Sequence, residues 1–85
     1  MIERVVMQTR KTPTGVVTAL VNRGEEWSPR LAEDVVEDIR SGRVRYVVPW
    51  YSGRVVVRVI DGPAMRLDAA RPDGGEGGLA LLPDG

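Results

Sequence analysis

Chemistry near neutral pH draws mostly on imidazole and thiolate groups, and this chain has no histidine and no cysteine. Those side chains supply most general bases near pH 7, most thiolate nucleophiles and most transition-metal ligands. What remains for chemistry is a set of carboxylates, guanidinium groups and a few rings. Asp61, Asp68, Asp73 and Glu76 fall late in the chain, but a magnesium or calcium site needs several oxygens at defined spacing. Asp73-Gly74-Gly75-Glu76-Gly77 lacks the alternating Asp/Asn pattern of a calcium loop, and no Lys-Ser/Thr follows Gly78 to make a phosphate loop. A paired-carboxylate hydrolase also needs a cleft that a chain this short hardly supplies. The expectation is therefore a non-catalytic protein with no metal and no cofactor.

The guanidinium groups offer a different chemistry. Arg45, Arg54 and Arg58, with Arg43 nearby and Tyr51 at the rim, fall on one face of an alternating strand pair. Planar cationic forks beside an aromatic ring can grip phosphates or stack on bases. The plainer alternative is a solvated sheet face whose Arg stems cover Val47 and Val56. Charge is unevenly spread. Glu25 to Arg40 carries Glu25, Glu26, Glu33, Asp34, Glu37 and Asp38 against Arg30 and Arg40, whereas Ser41 to Ile60 carries four arginines and no acid. An acidic side and a basic side can steer a partner or a second copy. Net charge argues against a generic nucleic-acid or membrane coat, since 12 Lys+Arg balance 12 Asp+Glu.

Two further segments could meet a partner. Pro49-Trp50-Tyr51 places rings of hot-spot type at a hairpin tip, although with so few rings Trp50 is expected in the core. Leu79-Ala80-Leu81-Leu82-Pro83 follows a Gly-rich spacer. Leu79 and Leu82 could fill a groove on a partner or cover the chain's own domain.

The elements that must position these residues follow from periodicity and turn chemistry. Ile2 to Gln8 and Val16 to Asn22 read as strands of an antiparallel hairpin, with Lys11-Thr12-Pro13-Thr14-Gly15 as a loop of more than two residues. Ser28 suits an N-cap and Pro29 the first helical position. Leu31, Val35 and Ile39, with Ala32 and Val36, make one apolar stripe, and Glu33, Asp34, Glu37 and Asp38 a solvated face. Gly42 suits a left-handed C-cap after Arg40, and Trp27 a hydrophobic staple on Leu31 or Ala32. Val44 to Trp50 and Arg54 to Ile60 form a second hairpin turning at Ser52-Gly53, which sets Trp50 opposite Val55 and Tyr46 opposite Val59. Tyr46, Val48, Trp50, Val55, Val57 and Val59 then face the helix. Asp61-Gly62-Pro63 is a turn and Ala64 to Asp68 a short fifth strand. The reading is a single α+β domain of ββαββ order, residues 1–70, with one helix on a mostly antiparallel sheet of four or five strands. Residues 71–85 are a Gly-rich segment and an apolar tail packed on the body.

The order of the second half, and its end, carry a resemblance. Gly77-Gly78-Leu79-Ala80-Leu81-Leu82-Pro83 is similar to the Asp-Asn-Leu-Leu-x-Leu-Pro ending of the small bacterial proteins grouped as domain of unknown function 3892. Leu79, Leu82 and Pro83 match, Gly77 and Gly78 stand in place of Asp and Asn, and Met65-Arg66-Leu67-Asp68 lies nearest to that family's Tyr-Leu-Arg-Thr segment. The resemblance implies a compact α+β domain whose tail packs on the body. It implies no activity and no catalytic residue.

Size and composition bound the function. A chain of 85 residues fits one domain and buries only ~60% of its unfolded surface, so assembly with a partner or a second copy would add stability. With no Phe, the core must be aliphatic. No apolar run approaches the ~20 residues of a membrane span, and Met1-Ile2-Glu3-Arg4 lacks the head of a signal peptide. The expected setting is the cytoplasm. The expected role is a protein-binding or assembly module acting through Arg45, Tyr51, Arg54, Arg58, Leu79 and Leu82, with an Arg-face nucleic-acid module as the alternative.

Overall fold

The computed structural model describes residues 1–62 and 64–85. It is an α+β domain in which one helix and three small sheets enclose a common core. The first sheet has the order β1 (Ile2–Val5), β5 (Val44–Trp50), β6 (Gly53–Val56). The second joins β2 (Gln8–Lys11), β3 (Val17–Val21) and β4 (Arg30–Leu31), and the third pairs β7 (Arg58–Ile60) with β8 (Arg66–Asp68). The helix α1 spans Ala32–Ser41. Strands thus flank the helix as expected, but three sheets share them. Pro63 of the expected Asp61-Gly62-Pro63 turn lies outside the described residues.

The expected first strand is two strands. Val6 N–H donates to Val47 C=O of β5 at 2.8 Å, and the next amide, Met7 N–H, donates to Val21 C=O of β3 at 3.0 Å. The chain therefore changes sheets between adjacent residues, with Val6 fully buried at the crossing. β2 and not β1 makes the antiparallel hairpin with β3. Its loop runs through Thr12–Val16, and Gly15 takes the left-handed φ of 89° that closes it. β1 instead lies parallel to β5, with Glu3 beside Arg45 and Arg4 beside Tyr46.

Helix α1 begins later than its capping residues suggest. Ser28 does not cap it: the Ser28 hydroxyl accepts the Asn22 N–H at 2.8 Å. Arg30 and Leu31 stay extended and pair with Leu20 and Ala19, so Leu31 becomes the N-cap without a side-chain cap bond and is 54% exposed. Val35 and Val36 are buried, with Ala32 and Ile39 packed beside them. The helix ends as expected, at Gly42 with φ 74°, whose N–H donates to Ile39 C=O.

The β5–β6 hairpin turns at Tyr51-Ser52, not Ser52-Gly53. Trp50 pairs with Gly53, Pro49 with Arg54, Val48 with Val55 and Val47 with Val56. A shift by an even number of residues keeps the faces. Tyr46, Val48 and Val57 are therefore in the core as expected, with Trp50, Val55 and Val59 packed against it. After Val57, which still donates to Tyr46 C=O, the strand leaves the sheet. Continuing would set Arg58 directly opposite Arg45, a like-charge pair. Arg58 instead pairs in register with Asp68 of β8.

The Gly-rich segment is ordered by the body. Asp68 Oδ2 accepts the Gly77 N–H at 3.0 Å, Ala69 C=O accepts the Gly78 N–H at 2.8 Å, and Ala70 C=O accepts the Trp50 indole N–H at 2.6 Å. A 3-10 turn, Leu79–Leu81, follows. Beyond it the chain runs beside β2: Thr9 N–H donates to Pro83 C=O, and Gly85 N–H donates to Thr9 C=O. The buried Thr9 hydroxyl donates to Leu79 C=O, and the Lys11 ammonium reaches Leu82 C=O at 2.8 Å.

Candidate partner-binding surface

The arginines expected on one face are only partly brought together. Arg45 on β5 and Arg54 on β6 both point to the outer face of the first sheet, and both are held by one carboxylate. Glu3 Oε1 accepts from Arg45 at 2.8 Å and Glu3 Oε2 from Arg54 at 2.6 Å. Glu3 stands beside Arg45 on one flank, and Arg54 beside Pro49 on the other. The line joining them passes over Val47, midway between those positions on β5. That strap accounts for Val47 being 2% exposed although it faces away from the core cluster. Arg58 is not part of this face: it belongs to the third sheet, beside Asp68. Arg43 is exposed, and its contact is with the Ser41 hydroxyl.

Tyr51 is the most exposed ring, fully open to solvent at the β5–β6 turn. Both neighbours are fastened: Trp50 to Ala70 C=O as above, and the Ser52 hydroxyl to Pro72 C=O at 3.3 Å. The turn is therefore braced while its tyrosine has nothing to pack on. Beside it β6 is the last strand of its sheet, so its outer backbone edge pairs with no other strand among the described residues.

Leu79 and Leu82 do not present a linear motif. They are 1% and 8% exposed and lie in the core cluster with Leu20, Val35 and Leu67. Their burial removes them from any partner surface; of the terminal leucines only Leu81, at 56%, is exposed.

The best-built polar constellation is one that the sequence did not announce. Asp38 is not on the solvated helix face. Its Oδ2 and Oδ1 accept a forked pair from Arg30 at 2.9 and 3.0 Å, and Oδ2 also accepts the Tyr46 hydroxyl at 2.6 Å. The Tyr46 oxygen in turn accepts from Arg4 at 2.8 Å, and the Arg4 guanidinium lies 5.7 Å from the ring centres of both Trp27 and Tyr46. Trp27 meets Tyr46 edge to face at 5.7 Å, so its packing partner is Tyr46. Burial pushes the Asp38 carboxyl up, but the Arg30 and Tyr46 hydrogen bonds and the Arg30 and Arg4 charges outweigh it and hold its pKa below the usual range. Burial and the adjoining carboxylate push the Tyr46 phenol up. Among the described residues no buried side-chain polar atom lacks a partner, and the cluster clamps β1, β4, α1 and β5 together. Asp38 sits at the margin of the apolar stripe, which is the one hint the sequence held.

Among the described residues no group of three or more acidic side chains could hold a metal ion, and no helix is long and apolar enough to cross a membrane. No family model, curated protein or solved structure matches the chain.

Proposed function

We propose that this chain is a non-catalytic protein-binding or assembly module, acting as an accessory subunit or in a homo-oligomer, through the β5–β6 turn and the adjoining edge of β6. The observation that carries this reading is Tyr51: a fully exposed ring on a turn braced through both neighbours. Tyrosine is enriched among residues that dominate interfaces, and a rigid support lowers the ordering cost of binding. The free edge of β6 adds backbone groups able to pair with an incoming strand, with Arg54 on that strand and Arg45 one strand inward on β5. A nucleic-acid role for Arg45, Arg54 and Arg58 has less support, because Glu3 holds two of them and the third belongs to another sheet.

The test is capture from a native lysate, with nuclease present, using the wild type and Tyr51→Ser side by side, with sedimentation to read self-association. A protein or a second copy held by the wild type and released by Tyr51→Ser, at unchanged melting temperature, is the expected result. Equal retention of the same species by both baits would sink the reading.

A further inference from the structure

A depression of about 500 Å³ opens between the β2–β3 turn, β8 and the Leu79–Leu81 turn, away from Tyr51. Its walls include the core side chains Leu67 and Leu79, with Met65, 49% exposed, at the rim. That volume lies in the range of small-molecule sites. The polar groups in its lining are unusual for an apolar hollow. Asp68 is 8% exposed, and only its Oδ2 is used, by the Gly77 N–H. Asp68 pairs with no arginine or lysine among the described residues, although Arg58 is its register partner. Glu76, which also lines the hollow, likewise has no ion-pair partner among the described residues. Asp68 Oδ1 accepts from no protein group among the described residues and is not sealed from the surface, so a cation in the hollow can reach it and supply the charge that no arginine or lysine does.

We propose that this depression binds a small organic cation with an apolar body. The ammonium or amidinium head sits between Asp68 and Glu76, and the body lies on Leu67 and Leu79. Arg66 in the same lining leaves two carboxylates against one guanidinium, so the hollow favours a cation over an anion.

Amide shifts of the nitrogen-labelled full chain, titrated with phenethylammonium, phenethyl alcohol and hydrocinnamate, test this. The ammonium is expected to give saturable shifts at Leu67, Asp68 and Gly77 with a dissociation constant of about 1 mM, as its few heavy atoms allow. The alcohol and the carboxylate are expected to give none there. Asp68→Asn keeps an oxygen for the Gly77 N–H and is expected to weaken the ammonium about tenfold. The exposed Glu76→Gln is expected to weaken it by a smaller factor, and it decides the matter alone where Asp68→Asn fails to fold. Equal binding of alcohol and ammonium, preference for the carboxylate, shifts confined to the helix acids, or wild-type affinity in Glu76→Gln and any folded Asp68→Asn would each overturn the proposal.

Discussion

At the scale of single residues, the carboxylate of Asp38 on α1 ties together strands from three places in the chain. It receives Arg30 from β4 and Tyr46 from β5, with Arg4 of β1 behind the phenol. Its side chain is only 16% exposed, so removing the charge leaves Arg30 and the Tyr46 hydroxyl poorly answered. Asp38→Asn should lower unfolding free energy by roughly 1.5–3 kcal/mol, the range for hydrogen bonds to charged groups, read by urea unfolding. The pH dependence follows from the direction of its shift. A carboxyl held below its unfolded pKa stabilises the fold above that unfolded value, and the contribution disappears as pH falls through the folded pKa. The wild type should therefore lose stability as pH drops below about 4, and the difference from Asp38→Asn should narrow over the same interval. A constant difference down to pH 2 would place the stabilisation elsewhere. Little of this was legible in the sequence. Asp38 could be seen beside the apolar stripe, but Arg4 reaches it only because β1 lies parallel to β5, and no local spacing encodes that pairing.

At the scale of elements, local signals and long-range pairing part company. The β2–β3 loop, the Gly42 cap and the alternation that turns Tyr46, Val48 and Val57 inward were readable, because each rests on neighbours within a few residues. The switch of sheets at Val6–Met7 and the departure of the chain after Val57 were not, since each depends on which distant strand accepts the next amide. Ser28 misled for a local reason: Asn22 claims its hydroxyl. The tail was half legible. Its leucines demanded burial, and only the fold shows that their own domain supplies it. Leu79→Ala should cost about 2–4 kcal/mol by leaving a cavity beside Leu20 and Leu67, whereas Leu81→Ala, at 56% exposure, should stay within about 0.5 kcal/mol. Similar denaturation midpoints for the two would contradict the docked tail. Two glycines make a sharper pair. A Cβ at Gly78 would stand 2.5 Å from the carbonyl oxygens of Ala69 and Ala70, while one at Gly42 would meet nothing and face only its φ of 74°. Gly42→Ala should therefore cost about 1–2 kcal/mol, and Gly78→Ala more, because backbone must move where Gly78 N–H bonds Ala69 C=O.

At the scale of the whole molecule, charge is separated, but less than the sequence alone suggests. The first sheet's arginines belong to a strand pair free of acids, yet β1 brings Glu3 onto that face and divides its carboxylate between Arg45 and Arg54. On the helix side Glu25, Glu26, Glu33, Asp34 and Glu37 have no ion-pair partner among the described residues. One residue thus decides how basic the β6 side is. Glu3→Gln and Glu26→Gln raise the formal net charge from +0 by the same single unit, so a probe that senses only total charge cannot tell them apart. A probe that senses a local patch can. Glu3→Gln releases two guanidinium groups onto one face and should elute later than Glu26→Gln from a heparin column, with a steeper fall in affinity as salt rises. Both should keep their stability within about 1 kcal/mol, because Glu26 makes no ion pair among the described residues and the two arginines on Glu3 are about half exposed. Co-elution of the two variants would mean that Glu3 does not set the character of that face, and that the strap over Val47 serves to cover an apolar strand.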